Sequence, residues 1–230
     1  MSLPKIDLPR YKHHLFGLNT TIHYRGFTTR EQKILLAAKE DGSKEAMVEA
    51  IKQIIDLCTF GELDIDSIPF FDIEDLFIRI RAKSVSDISE LTYRVKDEND
   101  EYTDEKINVK IHLNDIKVTC PEGHDKKIML SDDLGIMMQY PTLLMLEKET
   151  SEFEKIKECI ECIFNSEEVW YIKDTDPKEV EEFIDSLDIP SLEKIKNFFD
   201  TMPRLRHEVN VKLKSGETKT IKYEGLQDFF

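Results

Sequence analysis

Glu90-Leu91-Thr92-Tyr93-Arg94-Val95-Lys96 and Lys106-Ile107-Asn108-Val109-Lys110-Ile111-His112-Leu113 share one pattern. Leu91, Tyr93 and Val95 alternate with polar residues, as do Ile107, Val109, Ile111 and Leu113. A period of two puts the apolar set on one face of a strand. The two runs therefore read as a strand pair joined across an acidic loop, Asp97 to Glu105. Just upstream the period is helical. After Pro69-Phe70-Phe71-Asp72, the residues Ile73, Leu76, Phe77 and Ile80 recur at steps of three and four. Arg79, Arg81 and Lys83 lie toward the C-terminal end of that helix, where cations suit the dipole.

Moving outward to the N-terminal side, Val48, Ile51, Ile55 and Cys58 make one apolar helical face, opened by Ser43 and closed by Gly61. Thr28 stands three residues ahead of Glu31, the spacing of a capping box, and predicts a helix running to about Glu40 and stopping at Asp41-Gly42. Leu15 to Tyr24 reads as a short hairpin around Gly17 and Asn19-Thr20. On the other side, further strands are expected at Ile116–Cys120 and Lys127–Leu130, and an extended piece from Leu134 to Tyr140 that Pro141 closes. Helical signals then return. Phe153, Ile156, Ile160 and Ile163 form one stripe. Pro177 opens a helix with Val180, Phe183, Ile184 and Leu187 inward. Pro190-Ser191 begins another, with Leu192, Ile195, Phe198 and Phe199 apolar, ending by Met202-Pro203. A last hairpin pairs His207–Leu213 with Lys219–Tyr223 across Ser215-Gly216. The fold class is α+β: N-terminal helices, central antiparallel strands, and C-terminal helices with a final β-hairpin. The expected organisation is one α+β unit over 1–230, with a subdomain boundary near 141.

Composition removes several functions. The chain has 230 residues, 47 acidic against 32 basic, and a net charge of −15. A nucleic-acid footprint is a basic patch, and none dominates, so no nucleic-acid partner is expected. The apolar runs, such as Ile51 to Cys58, are short and broken by charges, so no membrane span is expected. The start, Met1-Ser2-Leu3-Pro4-Lys5-Ile6-Asp7, lacks the apolar core of a signal peptide. With four cysteines, the expectation is reduced thiols in a cytoplasm.

Few residues suggest chemistry. There is no His-Glu-x-x-His, no Gly-x-Ser-x-Gly elbow, no Walker loop and no Gly-x-Gly-x-x-Gly. With eight glycines, a backbone phosphate cradle is not expected. His13 and His14 are adjacent, so in an extended segment their rings point differently. The acidic runs at 147–161 and 176–185 read as solvated helix faces. Cys159-Ile160-Glu161-Cys162 has redox spacing, but it falls inside an expected acidic helix beside Glu158 and Glu161, which would raise the thiol pKa. Core or helix-face cysteines are the better reading of this pair, and the stronger alternative is zinc. Cys120-Pro121-Glu122-Gly123-His124 is a knuckle-like turn, and with Cys159 and Cys162 it would complete a set of three thiolates and one imidazole. The leading expectation is a protein with no enzymatic activity and no cofactor.

The aromatic residues speak more directly. Phe229-Phe230 closes the quoted sequence, and a terminal pair of rings is expected to dock, on the chain's own core or on a partner. Phe198, Met202, Leu226, Phe229 and Phe230 are the candidate partner contacts, because aromatic side chains anchor interfaces.

A resemblance adds to this reading. Tyr24-Arg25-Gly26-Phe27-Thr28 runs into Glu31-Gln32-Lys33-Ile34-Leu35-Leu36-Ala37. Ala50-Ile51-Lys52-Gln53-Ile54-Ile55 with Cys58 follows, then Asp72-Ile73-Glu74-Asp75-Leu76-Phe77 and Ile80-Arg81-Ala82-Lys83-Ser84. Leu134-Gly135-Ile136 to Tyr140-Pro141, Phe198-Phe199-Asp200-Thr201-Met202-Pro203 and Gly225-Leu226-Gln227-Asp228-Phe229-Phe230 complete the order. In order and spacing, these resemble the baseplate hub assembly proteins of T-even-like contractile-tailed bacteriophages, over nearly the whole chain. The resemblance implies a late protein, made in the host cytoplasm, that builds the central hub of the tail baseplate by binding other hub and tail proteins. It would be a hub component carried in the virion or an assembly chaperone. It carries over no enzymatic residue. Relatives have cysteine-rich turns near the positions of Cys120 and the final hairpin; Ser215-Gly216 stands in that hairpin here, which speaks against zinc.

Overall fold

The structure, a computed structural model, describes residues 6–96, 101–147 and 151–229. In chain order the elements are β1 (Tyr11–Leu15), β2 (Thr20–Tyr24), α1 (Thr29–Asp41), α2 (Lys44–Cys58), α3 (Phe70–Ala82), β3 (Ile88–Lys96), β4 (Tyr102–His112), β5 (Lys117–Thr119), β6 (Lys127–Met129), β7 (Gly135–Met138), α4 (Leu143–Glu147), α5 (Glu152–Glu158), β8 (Ile160–Phe164), β9 (Val169–Tyr171), α6 (Pro177–Asp185), α7 (Ile189–Thr201), β10 (Arg204–Lys212) and β11 (Thr218–Glu224). A 3-10 turn at Leu226–Phe229 follows. All strand pairs are antiparallel. The mixture is α+β, as the change of period indicates.

These elements gather into two compact units. One is built from residues 1–119 and 204–230, the other from 120–203. The second is thus inserted between β5 and β10. These two strands are themselves paired, with Arg204 opposite Thr119 and Leu205 opposite Val118. The chain leaves the first unit and returns to it at neighbouring backbone positions.

In the first unit the local signals act as expected. Thr28 N donates to Glu31 Oε2 at 2.6 Å and Arg30 N donates to Thr28 Oγ1, closing the capping box of α1. Gly42 ends α1 in the left-handed conformation, φ 76°, a shape that carries no steric cost for glycine. Ser43 caps α2 by accepting from Ala46 N. In the β3–β4 hairpin Leu91 faces Val109 and Tyr93 faces Ile107. Part of its expected loop, Asp97 to Asp100, lies outside the described residues; β4 already begins at Tyr102. The inner face of this hairpin packs with Ile78 and Ala82 of α3, Val211 of β10, Ile221 and Tyr223 of β11, and Phe229. α3 is buried on nearly every side: Ile73, Leu76, Phe77, Ile78 and Ile80 are buried, and so are its charged residues Asp72, Glu74, Asp75 and Arg79.

In the second unit a four-stranded sheet runs β6-β7-β8-β9. Its core joins Ile136, Met138, Ile160 and Ile163 to Ile156 of α5, Val180 and Ile184 of α6, and Ile195 and Phe198 of α7. The expected helical stripe from Phe153 to Ile163 is corrected here. α5 stops at Glu158, Cys159 caps it, and Ile160–Phe164 is a central strand. Ile160 and Ile163 are β-branched and fit a strand held between two others, with Ile163 opposite Ile136 on one side and Trp170 on the other. β9 had no counterpart in the sequence reading; it holds the outer edge of β8. Gly135 lies opposite Phe164, whose ring covers the space that a Cβ would occupy.

Candidate functional site

The charged residues of α3 organise the first unit. Asp72, Glu74, Asp75 and Arg79 are all buried, between 0% and 9% exposed. Burying charges costs free energy unless each is paired and hydrogen-bonded; Asp75 and Arg79 pair with each other, whereas Asp72 and Glu74 are held by backbone amides.

Asp72 receives the turn of the N-terminal hairpin: Gly17 N donates to its Oδ1 and Leu18 N to its Oδ2, both at 3.0 Å. Burial pushes the Asp72 carboxyl above its ordinary pKa, against the pull of these backbone donors. Gly17 is needed there, because a Cβ would come within 2.8 Å of both Asp72 Oδ2 and Pro69 Cγ.

One turn on, Asp75 bridges two partners. Its Oδ2 lies 2.6 Å from His13 Nε2. Its Oδ1 accepts from Arg79 Nε at 2.9 Å and from Arg79 Nη2 at 2.8 Å. Arg79 continues the chain by donating to the carbonyls of Leu113, at 3.0 Å, and Ile116. A carboxylate held by arginine accepts only, so the imidazole proton sits on His13 Nε2. His14 points the other way and meets Thr21 Oγ1. The two adjacent histidines thus diverge, as an extended segment requires.

Glu74 faces the C-terminal segment and accepts from Leu226 N at 2.7 Å. Burial, with Glu224 and Asp228 nearby, raises its pKa to about 7 although the Leu226 amide favours the charged form. At the other end of the unit, Glu31 joins Arg25 at 2.9 Å and is 1% exposed. Burial alone would raise its pKa, but Arg25 and Thr28 together hold it down at about 2.

A cleft of about 500 Å³ opens above the His13–Asp75–Arg79 chain. Lys12, His13 and His14 of β1 line it with Phe16, and Lys117 of β5 closes another side. α3 packs against both strands and forms the floor.

The five expected partner contacts fall into separate places. Phe229 is 0% exposed, its ring lies 6.0 Å from that of Tyr223, and its carbonyl accepts from Ser89 Oγ at 2.7 Å. The terminal aromatic thus docks on the chain's own core. Leu226 is half-buried against the same core. Phe230 lies outside the described residues. Phe198 is 2% exposed in the core of the second unit, stacked on Tyr140 and against His124, while Met202 is half-buried.

The zinc set is not assembled. Among the described residues no three His, Cys, Asp or Glu side chains are grouped to hold a metal ion. His124 is committed elsewhere: Nδ1 lies 3.0 Å from Thr201 Oγ1 and Nε2 lies 3.2 Å from Tyr140 Oη. Cys159 ends α5 and Cys162 sits within β8, so the two belong to different elements. Burial, with Glu158 beside it, pushes the Cys159 thiol to about 12, and burial also raises Cys162. Such thiols are poor nucleophiles at neutral pH.

Sequence reading missed the anchoring role of Asp72, Glu74, Asp75 and Arg79. Arg79 was assigned only to the helix dipole. The i, i+4 spacing of Asp75 and Arg79 was a visible signal, but nothing nearby in sequence points to His13 or to the carbonyls of Leu113 and Ile116.

Fold and site together define an α+β protein whose buried charges fasten one element to another. A family model described as T4 bacteriophage base plate protein matches residues 5–230, and the chain belongs to that family. The resemblance drawn from ordered motifs is therefore borne out at the level of a T4-like base plate protein. No curated protein and no solved structure matches it.

Proposed function

We propose that this chain is a non-enzymatic assembly protein that binds other tail proteins to build the central hub of a contractile phage baseplate. It acts in the host cytoplasm as a hub component or as an assembly chaperone. The observation that carries this reading is the family match across 5–230. The organisation of α3 supports it: Asp72, Asp75, Arg79 and Glu74 spend their hydrogen bonds on the chain's own backbone and on one another. A reaction centre instead needs titratable groups free to meet a substrate. Half-buried Leu226 and Met202 are the proposed partner contacts, while Phe229 and Phe198 are packed inside the cores of the two units.

Baseplate assembly in cells infected by phage lacking this chain provides the test. Sedimentation of lysates should show no complete hubs, and supplying the chain in trans should restore them. Complete hubs formed without the chain contradict the proposal.

A further inference from the structure

The cleft above α3 is electropositive in a chain whose net charge is −15. Lys12 and Lys117 are exposed on its walls, and among the described residues neither pairs with a carboxylate. The one carboxylate lining it, Asp75, is already offset by Arg79 and hydrogen-bonded to His13. It therefore does not cancel the lysines. Phe16, 46% exposed, adds an apolar wall.

We propose that this cleft docks an acidic peptide segment of another baseplate protein, whose Asp or Glu side chains meet Lys12 and Lys117. The proposal rests on the assembly function above and names the chemistry of one partner. Charge complementarity selects the occupant. Two ammonium groups on separate strands, β1 and β5, unpaired among the described residues, suit carboxylates spread along a chain, whereas a single small anion needs donors converging on one point. A nucleic acid needs a longer basic track than two lysines, on a protein that otherwise repels it. Phe16 offers the contact with an apolar side chain that a peptide carries and a free anion lacks.

The test uses the full chain and acetylated hexaglutamate amide as probe, followed by NMR of the imidazole signals and by calorimetry. Hexaglutamate should shift the His13 resonances. Lys12→Glu combined with Lys117→Glu should weaken binding by at least about tenfold, while Lys39→Glu on the exposed face of α1 should leave it unchanged. Circular dichroism of each variant should match the parent, since the three lysines are exposed. Absence of a shift, equal binding by the double variant, or the same shifts from inorganic phosphate or a hexathymidylate would overturn the proposal. Self-association detected by sedimentation and abolished by the double variant would assign the cleft to a second copy and overturn it as well. Capture of tail proteins from infected cells separates the two readings. If the double variant captures them as well as the parent does, the cleft assignment fails and the assembly function stands; if the parent captures none, the function fails.

Discussion

Two glutamates of the first unit oppose each other in their dependence on pH. Glu31 ionises near 4.5 in an unfolded chain and near 2 in the fold. Its contribution is present above about 4.5 and is lost as pH falls toward 2. Glu74 also starts from 4.5 but reaches about 7 when buried. Between those values the folded state holds the extra proton, so stability falls as pH rises from 4.5 to 7. From these two groups, urea unfolding should give greatest stability near pH 4.5 to 5. Glu74→Gln should remove the decline toward pH 7 and gain roughly 2–3 kcal/mol at pH 8; an unchanged slope in that variant contradicts the assignment. Phe229 makes a second residue-scale case. Its ring is 0% exposed among Tyr223, Ile221 and Val109, so Phe229→Ala should cost about 3–5 kcal/mol in chemical unfolding. A loss under 1 kcal/mol would mean that the terminal turn is not part of the core.

The N-terminal hairpin, as an element, hangs on Asp72. Its carboxylate satisfies two backbone amides, those of Gly17 and Leu18. Asp72→Ala leaves both donors without that partner and should destabilise by about 2–4 kcal/mol, with hydrogen exchange rising first at Gly17 and Leu18. Uniform loss of protection across the unit would contradict a local anchor. Local rules made much of this architecture legible. Thr28, Ser43 and Pro177 mark helix starts through interactions within a few residues, and the alternation at 107–111 places Val109 and Ile111 on the core side of β4. Reading failed where distant partners decide. Ile156, Ile160 and Ile163 suit a helical stripe equally well, and only the flanking strands β7 and β9 draw Ile160–Phe164 into the sheet. Arg79 was read only with the helix dipole and the acidic residues of α3 were given no role; their places depend on His13, Gly17 and Leu226, up to 152 positions away.

For the whole molecule, the insertion has a thermodynamic consequence. Thr119 and Arg204 are register partners, and opposite residues of an antiparallel pair lie about 5 Å apart. A short Gly-Ser bridge in place of 120–203 should therefore leave the first unit folded, with a cooperative melt and the Phe229 contacts intact; a molten product would show that the two units depend on each other. Legibility at this scale came from the order of motifs rather than from any one of them. Tyr24-Arg25-Gly26-Phe27, the α3 segment and Gly225-Leu226-Gln227-Asp228-Phe229 are largely core, cap and anchor positions, which is why together they mark the family while none of them names a reaction. The proposed partner surface was harder to read, because exposure depends on packing: Phe198 and Phe229 are buried, while Lys12 and Lys117, on strands far apart in sequence, line one cleft. The most direct measurement is affinity capture of the full chain from phage-infected cells, with the bound proteins identified by mass spectrometry. The account predicts stoichiometric recovery of other baseplate or tail proteins, and recovery of the chain alone would contradict it.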